Sequence, residues 1–361
     1  MTTALKSPQP NEACTTGIGS LPHHNVDAAL EFSFRMDVPF LPQIPIRNPW
    51  EYMIAQGLEG LPGLEADHEG NVSLNVPLWE SRTAAFRDQL ESAFETMAEP
   101  QSFERFELHP SVSSSWQAFL FELEERGIKR AKIQIVGPMT AQWALRLKDS
   151  AGQSIDTVPG LSSQIYRLVL ARAIAMVRRL KSLGIEPLIY LDEPGLYGLS
   201  LANPKHLLGI SELKIMLQTL KQEGAITGIH CCSNTNWDVL LGFASSGLNI
   251  LSIDTALSLE SLLSEGRSQK VAAFLENGGR LSLGVIPTAR SSALRSLKCE
   301  TLFEDLVATL IQAWPNEPKR VQTILSTSIY TPACGLAFHS VDDAELVLDA
   351  LSEFRKLAGS R

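Results

Sequence analysis

An α/β protein of TIM (β/α)8 barrel type, with a helix-and-hairpin excursion after its second strand, is the fold this sequence predicts. Three observations lead there. Eight short runs rich in apolar and β-branched residues recur along 361 residues, longer amphipathic stretches separate them, and the residues able to do chemistry stand at the C-terminal ends of the runs. Runs apolar on both faces and separated by helices imply parallel strands covered by helices, and eight such units suit a closed barrel better than a doubly wound sheet. The chain from 1 to 361 reads as one catalytic domain, with the insertion at about residues 65–128.

The first run is "TTGIGSL" (15–21) and the second "VPFLPQIP" (38–45). The crossover that follows, 46–130, is too long for one helix. Within it "GNVSLNVPLWE" alternates like a strand and is followed by "ESAFETMAEPQSFERF", so it reads as an excursion at the barrel mouth. "AKIQIVGP" (131–138) is the third run and "IEPLIYLDEP" (185–194) the fourth. Between them, "SSQIYRLVLARAIAMVRRLKSLG" repeats apolar residues at helical spacing and stops on a glycine, a common helix end. "AITGIHCC" (225–232), "NILSIDT" (249–255), "RLSLGVIPT" (280–288) and "QTILSTSIYTPACG" (322–335) complete the set.

Composition excludes several classes. The chain is 44% hydrophobic and 20% charged, with no apolar run long enough to span a bilayer, so no membrane role is expected. A net charge of −9 without a basic run argues against nucleic acid, whose phosphates demand a concentrated basic face. "MTTALKSPQPNEAC" lacks the apolar core of a secretory signal, and the expected location is cytoplasmic. Five cysteines, an odd number, scattered at 14, 231, 232, 299 and 334, make no disulfide framework; in a reducing compartment clustered cysteines more often serve metals or catalysis.

The stretch "IHCCSN" (229–234) concentrates the rarest chemistry. Residues two apart in a strand share a face, so His230 and Cys232 point together while Cys231 points into the helical layer and belongs to the core. An isolated His-x-Cys is more often a satisfied core pair than a ligand pair. Its company alters the balance: Asp254 ends the next run, and Cys334 ends the last one, between Pro332 and Gly335. A closed barrel brings these ends together at its mouth. One imidazole, two thiolates and a carboxylate form a tetrahedral zinc set, and sulfur ligands favour zinc over magnesium or calcium.

"TTGIGSLP", "GPMTAQW", "YLDEPGL", "HCC" and "TPACGL", in this order, resemble the C-terminal catalytic barrel of cobalamin-independent methionine synthases, within the superfamily that includes uroporphyrinogen decarboxylases. The likeness runs from about residue 15 to the end. It implies zinc held by His230, Cys232, Asp254 and Cys334, with Asp254 standing where the family usually has Glu; a second-shell or strand-end Asp is the alternative for that position. It implies homocysteine as methyl acceptor and methionine as product. Asp192 matches the residue that holds the ammonium of homocysteine, against the alternative of a helix N-cap, and backbone groups at Ile18 and Ser20 match those near its carboxylate. "PWEYMIAQGLEGLPG" (49–63) resembles the substrate loop of the decarboxylases and nominates Gln56, with Glu51 and Tyr52 competing for the role of a family acid in this region. Trp143 matches a family aromatic over the donor site, against the alternative of a core tryptophan.

The departures concern the methyl donor. The eight runs are expected to make one barrel where the full-length folate-using enzymes have two, "GVIPTAR" lacks the histidine with which those enzymes protonate their leaving group, and "DEPGLYG" and "CGLAFHS" lack charged residues of the family signatures. Methyltetrahydrofolate leaves poorly unless its nitrogen is protonated, whereas methylcobalamin leaves as cobalt(I) without a proton. A short methionine synthase fed by methylcobalamin, or by a corrinoid protein docking at the barrel mouth, is therefore expected. His339 is either a displaced acid, which would keep methyltetrahydrofolate as donor, or a residue of a solvated turn. The rival readings are methyl transfer to another thiol such as coenzyme M, and a structural zinc site in a degenerate barrel.

Overall fold

The computed structural model describes residues 12–148, 153–264, 266–288 and 294–359. Most of the N-terminal stretch scanned for a leader (residues 1–11), and the last two residues of "GVIPTAR", lie outside them. Seven parallel strands form one sheet: β1 (Cys14–Thr15), β4 (Arg130–Val136), β6 (Glu186–Asp192), β7 (Ile226–Cys231), β8 (Ile250–Asp254), β9 (Arg280–Ile286) and β10 (Ile329–Pro332), ordered β1-β10-β9-β8-β7-β6-β4. β4 through β9 follow chain order, each reached through helical crossovers such as Leu161–Ser182 and Pro204–Gln222. The sheet is curled, because the segment after β1 bonds to both of its outer edges. Val38 N donates to Thr15 O (3.0 Å) and Gln43 N to Gly19 O (3.0 Å) on one side, while Leu41 N donates to Lys132 O (2.9 Å) and Lys132 N to Pro39 O (2.7 Å) on the other.

That segment is the second predicted strand, and only isolated bridges form there, Ser20 with Gln43 and Phe40 with Lys132. The cause is in its sequence: Pro39, Pro42 and Pro45 have no N–H to give to a ladder. Side chains supply what the ladder lacks. Ser33 Oγ meets both the N–H and the carbonyl of Phe40, Gln134 Nε2 donates to Leu41 O, and Glu51 accepts from Ile44 N. The last predicted run, 322–335, is also corrected. Its first six residues continue the helix Pro318–Thr327, whose amphipathic spacing wins over the β-branched composition, and the strand is confined to Ile329–Pro332.

The insertion after the second segment is a hairpin, β2 (Leu64–Ala66) antiparallel to β3 (Val72–Leu74), followed by the helix Val76–Glu95 and the helix Trp116–Glu125. β5 (Arg146–Leu147), which follows β4, joins β3 as a third strand, a pairing the sequence pattern did not foretell. Arg172, buried on the helix Leu161–Ser182, fastens this layer by donating to the carbonyls of Gln56, Gly57, Glu59 and Phe106 and to the Glu59 carboxylate. Among the described residues no helix is long and apolar enough to cross a membrane.

Strand alternation splits the apolar residues into two bodies. Ile189, Leu191, Ile229, Cys231, Leu251, Ile253, Leu281 and Leu283 face the helices in the main core, while Cys14, Val38, Leu188, Tyr190, Ile250 and Ile329 form a separate cluster on the concave side. The same concave face carries Lys132 and Gln134, in register with Leu188 and Tyr190 of that cluster, and Asp192, His230 and Ser252 nearer the C-terminal strand ends, all buried polar residues. Polarity therefore rises toward the mouth.

Candidate functional site

The register aligns the site across neighbouring strands: Asp192 of β6 stands beside His230 of β7, and His230 beside Ser252 of β8. Cys232 follows β7 directly. Cys334 follows β10, which lies across the curl, and the two sulfurs are nevertheless 3.9 Å apart although 102 residues separate them in the chain. Cys334 is exposed and Cys232 half-buried, so the pair is open to solvent. The Cys334 thiol is pulled well below the usual thiol range, first by its contact with Cys232 and then by His230, while Cys232 is pushed upward by the same contact and by burial. Cys231 lies on the opposite face, fully buried, with its S–H directed to Ser233 O (3.3 Å).

His230 is held by one nitrogen only. Nδ1 is 3.0 Å from the Ser252 hydroxyl, and Nε2 is buried with no hydrogen-bond partner among the described residues. A buried ring nitrogen without a partner is costly unless something else uses its lone pair. The donor set suits zinc. With Zn–S bonds of about 2.3 Å at a tetrahedral angle, two thiolates on one ion sit about 3.8 Å apart, and the Cys232–Cys334 separation of 3.9 Å meets that spacing. Only the sulfurs are so placed: among the described residues no three His, Cys, Asp or Glu side chains are already gathered as a metal site. Asp254 turns its carboxylate to Leu257 N (3.1 Å) and caps the helix Thr255–Leu263, the local role that sequence reasoning had weighed for Asp192 instead. It remains close enough to feel Cys334 and His230, and half-burial raises its pKa above the usual carboxylate value.

Asp192 is buried, one carboxylate oxygen has no hydrogen-bond partner among the described residues, and burial pushes its pKa up to about 6 against the pull of His230 and Lys132. Lys132, which sequence reasoning missed, is wholly enclosed beneath it. Its ammonium donates to Ile18 O (2.6 Å) and Gln134 Oε1 (3.0 Å) and lies 4.7 Å from the centre of the Tyr190 ring; burial lowers its pKa to about 8. The signal was present, since a lysine and a glutamine two apart in the apolar run "AKIQIV" must share one face of a strand.

The other nominated residues separate into two groups. Ile18 and Ser20 border the site: Ile18 has its carbonyl on Lys132, and Ser20 accepts from Leu336 N (2.8 Å), which ties it to the Cys334 loop. A side chain at Gly335 would meet Ser20 Oγ at 2.1 Å and turn that hydroxyl aside. Gln56, in contrast, spends its carbonyl on Gln43 (2.8 Å) and its amide on Val112 O (2.7 Å), and Glu51 is consumed by Ile44 and Ser114; both fasten the insertion. Tyr52 stacks on the highly exposed Phe338, ring centroids 6.2 Å apart. Glu193 accepts from the amides of Met139 and Thr140 and from the Thr140 hydroxyl, locking β6 to the helix Pro138–Ala144. Trp143 of that helix packs on His206, with 4.7 Å between rings, and lies half-buried against the main core. His339 reaches the loop after β9, with Nε2 2.8 Å from Thr288 O.

No family model matches the chain, and no curated protein matches it. Among solved structures, a methyltransferase from Methanosarcina mazei is similar over 97% of this chain and 96% of that one, at 14% identity and a TM-score of 0.49. A GH27 β-L-arabinopyranosidase from Geobacillus stearothermophilus covers 96% of this chain and 76% of its own length, at 10% identity and a TM-score of 0.37. At that distance neither bears on the chemistry.

Proposed function

We propose that the chain is a zinc-dependent methyltransferase, built on a closed (β/α)8 barrel, that moves a methyl group from a methylated corrinoid to the thiol of homocysteine and so makes methionine. The observation that carries this reading is the Cys232–Cys334 pair, 3.9 Å apart at the mouth beside a histidine whose Nε2 has no partner. His230, Cys232 and Cys334 would hold the ion. Zinc bound there supplies the positive charge that keeps an incoming thiol deprotonated at neutral pH, in place of a free thiol pKa of about 8.5. The overall transfer forms the S–CH3 bond of methionine, breaks the donor's bond to the methyl group and releases the thiol proton.

The protein's part is to seat the acceptor. Asp192 offers a free carboxylate oxygen to the substrate ammonium, and Lys132 beneath it balances the charge that Asp192 carries when no substrate is present. Because the Ile18 carbonyl is turned to Lys132, its N–H is the group left for the substrate carboxylate. Asp254 stands at the rim as a helix cap, near the sulfurs and in reach of solvent, which leaves one side of the donor set open as catalysis requires. The corrinoid, free or carried by a protein, approaches over the mouth. Methyltetrahydrofolate is the second reading for the donor, favoured by the contact of His339 with the loop after β9.

Zinc content with and without homocysteine, followed by turnover with methylcobalamin and separately with methyltetrahydrofolate, tests the proposal. Retention of about one zinc per chain, a gain of one sulfur ligand on adding homocysteine, and methionine formed from methylcobalamin are expected. A protein that binds zinc but gains no sulfur ligand supports a structural zinc site and refutes the transferase.

A further inference from the structure

We infer that Ser252 is the positioning residue of the site: it accepts the Nδ1 proton of His230 and thereby fixes the tautomer whose Nε2 lone pair faces the two cysteines. The inference rests on the metal reading above only for what Nε2 is used for; the geometry stands by itself. His230 and Ser252 are opposed in the β7–β8 register, His230 is 3% exposed and Ser252 not at all, and 3.0 Å separates Nδ1 from Oγ. An imidazole in a strand interior can turn about its side-chain bonds or exchange its ring proton between nitrogens, and either event would withdraw the lone pair from the sulfurs. Among the described residues Nδ1 alone has a hydrogen-bond partner within bonding geometry, so the hydroxyl selects one ring orientation. Ring orientation set by the other nitrogen is the general device by which histidine ligands are made ready before a metal arrives.

The sequence carries the device in a form that motif reading overlooks. "HCC" and "SIDT" lie on consecutive runs, and the β7–β8 pairing places the serine, two residues before Asp254, opposite the histidine. The neighbour available on the other side, Asp192 of β6, is opposite His230 as well. Asp192 has a free oxygen, yet the imidazole bonds to the neutral hydroxyl. A carboxylate bonded to Nδ1 would spend the oxygen that the acceptor site needs, whereas the hydroxyl leaves that oxygen unused. The arrangement thus keeps Asp192 for the substrate and His230 for the cysteine pair.

Ser252→Ala and Ser252→Thr separate this role from packing, because threonine keeps the hydroxyl and suits a strand while alanine removes only the oxygen. In the metal-free protein, nitrogen-15 shifts of the imidazole are expected to show His230 protonated at Nδ1 in the wild type and in Ser252→Thr, and a mixture of both tautomers in Ser252→Ala. Cobalt(II), whose thiolate charge-transfer bands report coordination, is expected to bind Ser252→Ala about 10–100-fold more weakly than wild type, with Ser252→Thr restoring most of the loss. A wild-type ring protonated at Nε2, or a Ser252→Ala protein with unchanged tautomer and unchanged cobalt affinity, overturns the inference. A wild type that binds no cobalt at all overturns the metal reading, and the nitrogen-15 result still decides the role of Ser252.

Discussion

Glu193→Ala is expected to destabilise the protein by about 3–4 kcal/mol, because two buried amides lose their acceptor and each orphaned donor costs about 1–3 kcal/mol. The carboxylate is fully enclosed and takes Met139 N at 3.0 Å, Thr140 N at 2.7 Å and the Thr140 hydroxyl at 2.6 Å. The hydroxyl keeps one partner after the substitution, since it also accepts from Gly195 N at 3.0 Å, so the amides carry most of the loss. Urea denaturation reads the effect as a lowered midpoint at constant slope. Gly137→Ala gives an independent handle, for its new Cβ would sit 2.1 Å from Glu193 Oε1 and displace the carboxylate without removing it. The same residue has a pH signature. Burial, aided by Asp192 and opposed by the Thr140 and Met139 hydrogen bonds, raises its pKa from 4.5 to about 7. The folded state then keeps a proton that the unfolded chain has already lost, so this contribution is complete below pH 4.5 and falls away as pH rises through about 7, by at most about 3 kcal/mol. Glu193→Gln should flatten stability against pH over that window. A loss in Glu193→Ala below about 1 kcal/mol, with a pH slope unchanged in Glu193→Gln, would refute the reasoning.

Three further outcomes are expected. Cys334→Ser and Cys232→Ser should each lose zinc and methyl transfer while Cys231→Ser, whose sulfur lies in the core with its S–H directed to Ser233, keeps both; metal analysis of the three proteins decides it. Arg172→Met should lower stability by about 3 kcal/mol, since several carbonyls of the insertion lose their donor, and an unchanged thermal midpoint would show that the insertion is held by other means. Asp192→Asn should leave zinc content intact and weaken methionine binding by about 100-fold through loss of the charge facing the ammonium; calorimetry that finds equal affinity would remove Asp192 from the acceptor site.

Much of the architecture was legible because β strands buried on both faces and amphipathic helices leave distinct periods, and those periods place His230 and Cys232 on one face with Cys231 on the other. What the periods do not carry was missed. The prolines of 38–45 break the second strand into single bridges, and helical spacing captures the start of 322–335, because composition reports what a residue prefers and not which neighbour supplies its hydrogen bonds. Motif likeness named Cys334 from a position far along the chain, and the curl of the sheet brings it to Cys232. It could not distinguish a carboxylate that caps its own helix, as Asp254 does, from one left with an unpartnered oxygen, as Asp192 is. Lys132, Gln134 and Ser252 belong to no motif; they became visible only when alternation and register put them on the concave side.

The proline-broken seam joins the curled sheet to the added layer. Ser114 and Glu51 clasp one another, Glu51 reaches back to Ile44, and Ser115 bonds to the carbonyl of Pro42, so residues of the insertion make the contacts that a regular ladder would have made. Excising the inserted layer would therefore unlatch the seam itself, freeing the glycine-rich edge at Ile18 and Ser20 while the five-strand run from β4 to β9 stayed paired. In amide exchange the first protons to go should be those of Leu41 and Gln43, ahead of any strand that carries the cysteines.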